Sequence, residues 1–168
     1  MQSLWSNILA GEANAPGKFS KRTTEFVATL DKRDAQLFTN FCSFCWTIGD
    51  TCPLIFDNND KVYNEKGVNF ESLSHLDSIG LISFDGIGTF IRRELPKYIN
   101  TFYYGTTITI ELPLDENTFQ LGQVIMTRVG KELAPIAGAT RSNEYFQYVL
   151  EKWRKENYIL SSPFVAHK

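Results

Sequence analysis

The chain has 168 residues, 43% hydrophobic and 21% charged, with a formal net charge of −2 at pH 7. That length supports one domain with a substantial core, and the charge balance argues against a dedicated nucleic-acid binder. No apolar run approaches the ~20 residues that span a membrane, and no secretory signal pattern opens the chain.

Leu4, Trp5, Ile8 and Leu9 recur at the spacing of one face of a short helix, which Gly11 and Pro16-Gly17 end. Ser20 is placed to cap a second helix with Thr23, Phe26, Val27 and Leu30 on its apolar side. Asp31 caps a third, expected over 31–48, whose stripe is Ala35, Phe38, Phe41, Cys42, Cys45 and Trp46. Residues 53–56 read as a short strand, and Asp57-Asn58-Asn59-Asp60 as a turn. Asn69 caps a helix carrying Phe70, Leu73, Leu76 and Ile79, which Gly80 stops. Leu81 to Phe84 is the next strand, while residues 85–101 fit no single pattern. Thr106 to Leu112 alternates strictly and predicts a half-buried strand. A polar connection is expected over 113–120, a strand over 123–126, and a short or bent helix from Thr127, because Pro135 lies past its first turn. Phe146, Val149, Leu150 and Trp153 mark the last helix. With 13 Phe in the chain, the core is expected to be rich in aromatic rings.

The order of the middle elements resembles a winged-helix domain. Leu76 to Ile82 leaves a helix through Gly80 into a strand, and Met126 to Leu133 re-enters a helix capped by Thr127. Several segments together also resemble an uncharacterised bacterial domain-of-unknown-function family. They are Leu-Trp-x-x-Ile-Leu-Ala-Gly-Glu at 4–12, Pro-Gly-x-Phe-Ser-x-Arg-Thr at 16–23, Gly-Leu-Ile at 80–82 and Thr-x-x-Gly-Lys-Glu-Leu at 127–133. The resemblance covers about residues 3–157, with Thr24 standing where the family prefers Leu. It implies no catalytic residues. The motif residues Leu4, Trp5, Leu9, Gly11, Glu12, Pro16, Gly17, Ser20, Arg22 and Thr23 read as a structural joint. In that family the opening motif follows a longer helical region, so the chain is expected to be the C-terminal part of a longer helical protein.

Three sets of side chains could carry chemistry. Cys42, Cys45 and Cys52 with His75 could supply four zinc ligands, but Cys42 and Cys45 fall on an apolar stripe, where free Cys behaves as a small hydrophobe. The odd cysteine count suits a reducing compartment. Gly11 to Lys18 misses a phosphate loop by one residue of spacing, and Phe19 stands where the magnesium ligand should be. Lys18, Lys21 and Arg22 form a small basic cluster, and Arg92, Arg93 and Lys97 a candidate basic wing for nucleic acid. The helix that would enter a groove, 69–78, carries two acids and no Lys or Arg, which speaks against that use. His167 and the Asp115-Glu116 pair read as incidental, because neither sits beside a partner for catalysis.

The sequence therefore predicts an α+β chain, mostly helical with a small antiparallel sheet, winged-helix-like. It would be a single domain over 1–158: a helical joint (1–30), a winged-helix-like core (31–137) and a C-terminal helix (141–158), followed by a flexible tail (159–168). The expected function is a non-enzymatic, cytoplasmic protein-interaction or oligomerisation module without cofactor or membrane contact, its partners meeting the first and last helices. A DNA-binding regulator is the first alternative and a small Cys/His metal protein the second.

Overall fold

The computed structural model describes residues 2–113 and 117–162, without the side chains of residues 2–5, 9, 12 and 117. Helix α1 spans Gln2–Asn14, α2 Lys21–Thr29 and α3 Lys32–Cys42. Strands β1 (Cys45–Ile48) and β2 (Asp50–Pro53) follow, then short α4 (Lys61–Asn64) and α5 (Phe70–Ser78). Strands β3 (Ile82–Phe84), β4 (Phe90–Leu95), β5 (Tyr98–Tyr103), β6 (Thr106–Glu111), β7 (Asn117–Gly122) and β8 (Val124–Met126) come next. The chain closes with α6 (Arg128–Leu133), a 3-10 turn at Ala134–Ile136, α7 (Asn143–Lys155) and β9 (Ile159–Ser161).

Of the described residues 41% are in helices and 26% in strands, so the fold is mixed α+β rather than mostly helical with a small sheet. Its largest sheet has five strands in the order β2-β1-β5-β6-β9, every pairing antiparallel. Two further ribbons pair β3 with β8 and β4 with β7. The strands expected to bracket a wing do pair, but residues 85–123 between them supply most of the sheet structure, and this replaces the expected winged-helix core.

Several corrections have clear physical causes. The helix expected over 31–48 ends at Cys42, and Cys45–Ile48 is a strand. Cys42, Cys45 and Trp46 satisfy helical spacing, yet Trp46 and Ile48 also satisfy the two-residue period, and Gly49 (φ 71°) turns the chain into a hairpin. The expected polar connection contains β7, whose Phe119 and Leu121 alternate into the core. The ambiguous stretch holds β4 and the first four residues of β5. Residues 159–161 of the expected tail form an edge strand, and 163–168 lie outside the described residues.

One face of the five-stranded sheet is packed by α7. Trp46 lies between Tyr103 (ring centroids 4.8 Å apart) and Phe146 (5.6 Å), with Trp153 edge-on at 4.8 Å. The tyrosines here bury their rings and spend their hydroxyls on the backbone. Tyr145 donates to the Phe44 carbonyl at 2.8 Å, Tyr63 to Leu54 at 3.0 Å and Tyr103 to Ser43 at 2.8 Å. These bonds hold both ends of the β1–β2 hairpin against α4, β5 and α7, and burial raises all three phenols. Gly122, at φ 97°, lets the β7–β8 junction approach the Ile55 carbonyl, where a Cβ would lie 2.1 Å from that oxygen.

Candidate functional site

The separated motif segments meet in space. Ser20 caps α2 by accepting from the Thr23 amide at 3.2 Å, and Thr23 is fully buried. The Ser20 amide in turn donates to the Glu132 carboxylate on α6 at 2.8 Å. Burial pushes Glu132 up, but hydrogen bonds from Ser20, Thr23 and Arg128 outweigh it and hold the carboxyl at about 2. Thr127 caps α6 by accepting from Gly130 at 3.1 Å and donates its hydroxyl to the Gly80 carbonyl at 2.7 Å. Gly130 is needed because a Cβ there would stand 2.1 Å from the Leu81 oxygen. Lys131 pairs with Asp50, and the hydrogen bond from Lys131 lowers that carboxyl. Bonds between Glu132 and Ser20, Thr127 and Gly80, and Lys131 and Asp50 tie α6 to the start of α2, to the turn before β3 and to β2.

The other motif residues are distributed around it. Gly11 is closed over by the Phe19 ring, while Pro16, Gly17 and Arg22 are exposed. The side chains of Leu4, Trp5, Leu9 and Glu12 lie outside the described residues, as do Asp115, Glu116 and His167.

The six candidate cations are not brought to one surface feature. Lys18 lies over the Phe19 ring, and Lys21 pairs with Glu25 at 3.8 Å along α2. Arg92 turns inward, where its guanidinium donates to the Ile48 carbonyl and to the Cys52 sulfur at 3.4 Å. It ties β4 to the end of β1 instead of extending a wing. Lys97 pairs with Glu111 at 3.3 Å, and Arg93 is exposed.

The cysteines and His75 also separate. His75 on α5 contacts the Asp34 carboxylate on α3 at 2.7 Å. Among the described residues no cluster of three or more His, Cys, Asp or Glu is arranged to hold a metal ion. All three cysteines are free. Burial pushes the Cys45 thiol well up, reinforced by its hydrogen bond with Cys42, and burial raises Cys52 despite the nearby Arg92. Thiols held protonated are poor nucleophiles and poor ligands.

The second face of the five-stranded sheet is open, with large side chains in solvent. Register sets its side chains in rows: Tyr98, Glu111 and Ile159; Asn100, Thr109 and Ser161; Thr47, Phe102 and Thr107. Tyr98 is 58% exposed, Phe102 45% and Ile159 63%, high values for large apolar side chains. Between them the polar rows are internally bonded, with the Thr109 hydroxyl donating to Asn100 Oδ1 at 2.8 Å. The charges on this face, Lys97 and Glu111, neutralise one another.

At the β1–β2 end the face opens into a cavity of about 240 Å³. Thr47, Thr51 and Phe102 line it on the sheet side, and Ala134, Pro135 and Ala139 on the other. Cys45 and Tyr104 stand in its wall. Pro135 contributes twice, because it ends α6 early and sends the chain through the 3-10 turn that overhangs the sheet. Sequence reasoning missed this site, since Tyr98 and Phe102 fall in or beside the ambiguous stretch. The available signal was six consecutive residues from Tyr98 to Tyr103 in which Ile99, Thr101 and Tyr103 alternate with exposed positions.

The last helix, expected as a contact surface, presents Asn143, Glu144, Gln147, Glu151, Arg154 and Lys155 to solvent, a polar face without an apolar anchor. No helix among the described residues is long and apolar enough to cross a membrane. No curated protein and no solved structure matches the chain. The model of the family described as "Protein of unknown function (DUF2806)" matches residues 1–150, and the chain belongs to that family.

Proposed function

We propose that this member of the DUF2806 family is a non-enzymatic protein-interaction module that receives a partner protein on the open face of its five-stranded sheet. The observation that carries the reading is Phe102, an exposed ring on a central strand beside a cavity with room for one inserted side chain. Interfaces concentrate their affinity in such an anchor and pocket, ringed by polar contacts that exclude water. Thr47, Thr107, Thr109, Asn100 and Ser161 are a rim of this kind. Their polarity suits a partner that comes and goes better than an obligate second copy, whose interface would be more apolar. The protonated, mostly buried thiols favour binding over catalysis, and free cysteines suit the cytoplasm.

The test is photo-crosslinking in the native cells, with a benzophenone amino acid in place of Phe102 and, in parallel, in place of Gln147 on the exposed side of α7. The reading expects a discrete adduct with a different polypeptide from position 102 and none from position 147. An adduct of twice the chain mass would point to self-association instead. No adduct at 102, or the same adduct at both positions, would count against it.

A further inference from the structure

A second surface, on α3, has a different chemistry. Lys32, Arg33, Gln36, Leu37, Asn40 and Lys66 border a shallow groove of about 580 Å³ between α3 and the loop that follows α4. The positions on α3 recur at helical spacing and so share one side of the helix. The opposite side is spent on the fold, with Phe38 and Phe41 in the core and Asp34 on His75.

The groove is built and electrostatically one-sided. The Gln36 amide donates to Asn40 at 3.0 Å, and Asn40 donates to the Lys66 carbonyl at 3.2 Å, so a ladder of amides fixes its width. Leu37 gives it an apolar floor, to which the Lys and Arg stems add aliphatic surface. No acidic residue lines it. Among the described residues, Lys32, Arg33 and Lys66 form no ion pair within 4.0 Å. Of the nearby carboxylates, Asp31 caps α3 through the Arg33 and Asp34 amides and attracts the Arg33 charge without an ion pair within 4.0 Å, and Glu65 pairs with Lys61 at 3.2 Å. Lys32, Arg33 and Lys66 thus gather around an apolar floor, with Asp31 beside Arg33 as an opposing charge, on a chain whose net charge is −2.

We infer that this groove binds a short acidic segment of a protein, with one apolar side chain on Leu37 and flanking Asp or Glu side chains against Lys32, Arg33 and Lys66. Charge complementarity selects the acidic partner, and the apolar floor selects a peptide over a phosphate backbone. A nucleic-acid strand would need stacking platforms and a longer cationic track; the groove has no aromatic lining, and the chain as a whole repels polyanions. The inference is independent of the sheet face, since the two surfaces share no residue.

The experiment is a fluorescence-anisotropy titration of the full chain with a dye-labelled peptide in which Leu is flanked by Glu. A peptide with Lys in place of Glu and a single-stranded oligonucleotide of the same charge run beside it. The expected result is salt-sensitive binding of the acidic peptide alone, weakened about tenfold or more in a Lys32→Glu/Arg33→Glu variant, which reverses two exposed charges. A Tyr98→Ser/Phe102→Ser variant should bind the peptide as the natural chain does. Melting curves keep the charge-reversal result interpretable, since exposed helix positions should leave the fold intact. No binding at low salt, binding unchanged by charge reversal, loss of binding on the sheet-face change, or stronger binding of the oligonucleotide would each overturn the inference.

Discussion

The cluster where the motifs meet and the open sheet face differ in how their polar groups are used. Around Ser20, Thr127 and Glu132, donors and acceptors are matched across α2, α6 and β3, and a carboxylate is held at about 2 by those bonds. On the sheet face, three large apolar side chains stand in solvent among hydroxyls and amides. Ser20, Thr127 and Glu132 thus bind the chain to itself, while the large side chains of the sheet face are turned outward. Under the proposed function the first region serves stability and the second recognition, and substitutions can separate the two.

The largest stability effect is expected at Gly130. Alanine there places a methyl against the Leu81 carbonyl and forces α6 away from β3. A loss of about 3 kcal/mol in urea denaturation follows from the cost of overpacking. A loss under about 0.5 kcal/mol would mean that the contact yields freely and that the cluster is not a rigid joint.

Next comes Glu132→Gln, with an expected cost of about 2 kcal/mol at neutral pH from weakening charge-assisted bonds in a partly buried site. The sign of its pH dependence follows from a carboxyl lowered from 4.5 to about 2. A depressed folded-state value contributes stability that is fully present above about 4.5 and is lost as the pH falls towards 2. The gap between the natural chain and the Gln variant should therefore close across that window. A gap independent of pH would show that the carboxylate charge is not what matters. Arg92→Ala should cost a comparable amount or slightly less, by freeing the Ile48 carbonyl and the β4 tie to β1. It should leave any nucleic-acid affinity untouched, because the guanidinium faces inward.

The smallest stability effect belongs to the sheet face. Tyr98→Ser/Phe102→Ser removes exposed rings and should change stability by less than about 0.5 kcal/mol. A large loss would mean that these rings serve the fold and would erase the contrast with the motif cluster.

The helix caps were legible because each is a local event. Ser20, Asp31, Asn69 and Thr127 all accept from amides two or three residues on, as their spacing implied. The final helix was equally clear, since Phe146, Val149, Leu150 and Trp153 have only one period to satisfy. The sheet was harder to see. Trp46 fits two periods at once, the helical one with Cys42 and Cys45 and the two-residue one with Ile48, and only the Gly49 hairpin, paired across to β5, decides between them. Strand β7 offers only Phe119 and Leu121 as large apolar residues, and its partner β4 is interrupted in register between Phe90 and Ile91 and between Arg92 and Leu95. The candidate site lay in this less legible half. Tyr98 and Phe102 become a surface only when β5 sits centrally, and the cavity beside them needs the 3-10 turn around Pro135, far away in the chain.

The most direct test measures thermal stability and partner capture together on the Tyr98→Ser/Phe102→Ser chain, reading the polypeptide cross-linked through a benzophenone side chain at Thr47. The account predicts a melting temperature within about 2 °C of the natural chain and a loss of the adduct by about tenfold or more. An adduct of undiminished yield on a chain of unchanged stability would contradict the claim that this face is where the protein does its work.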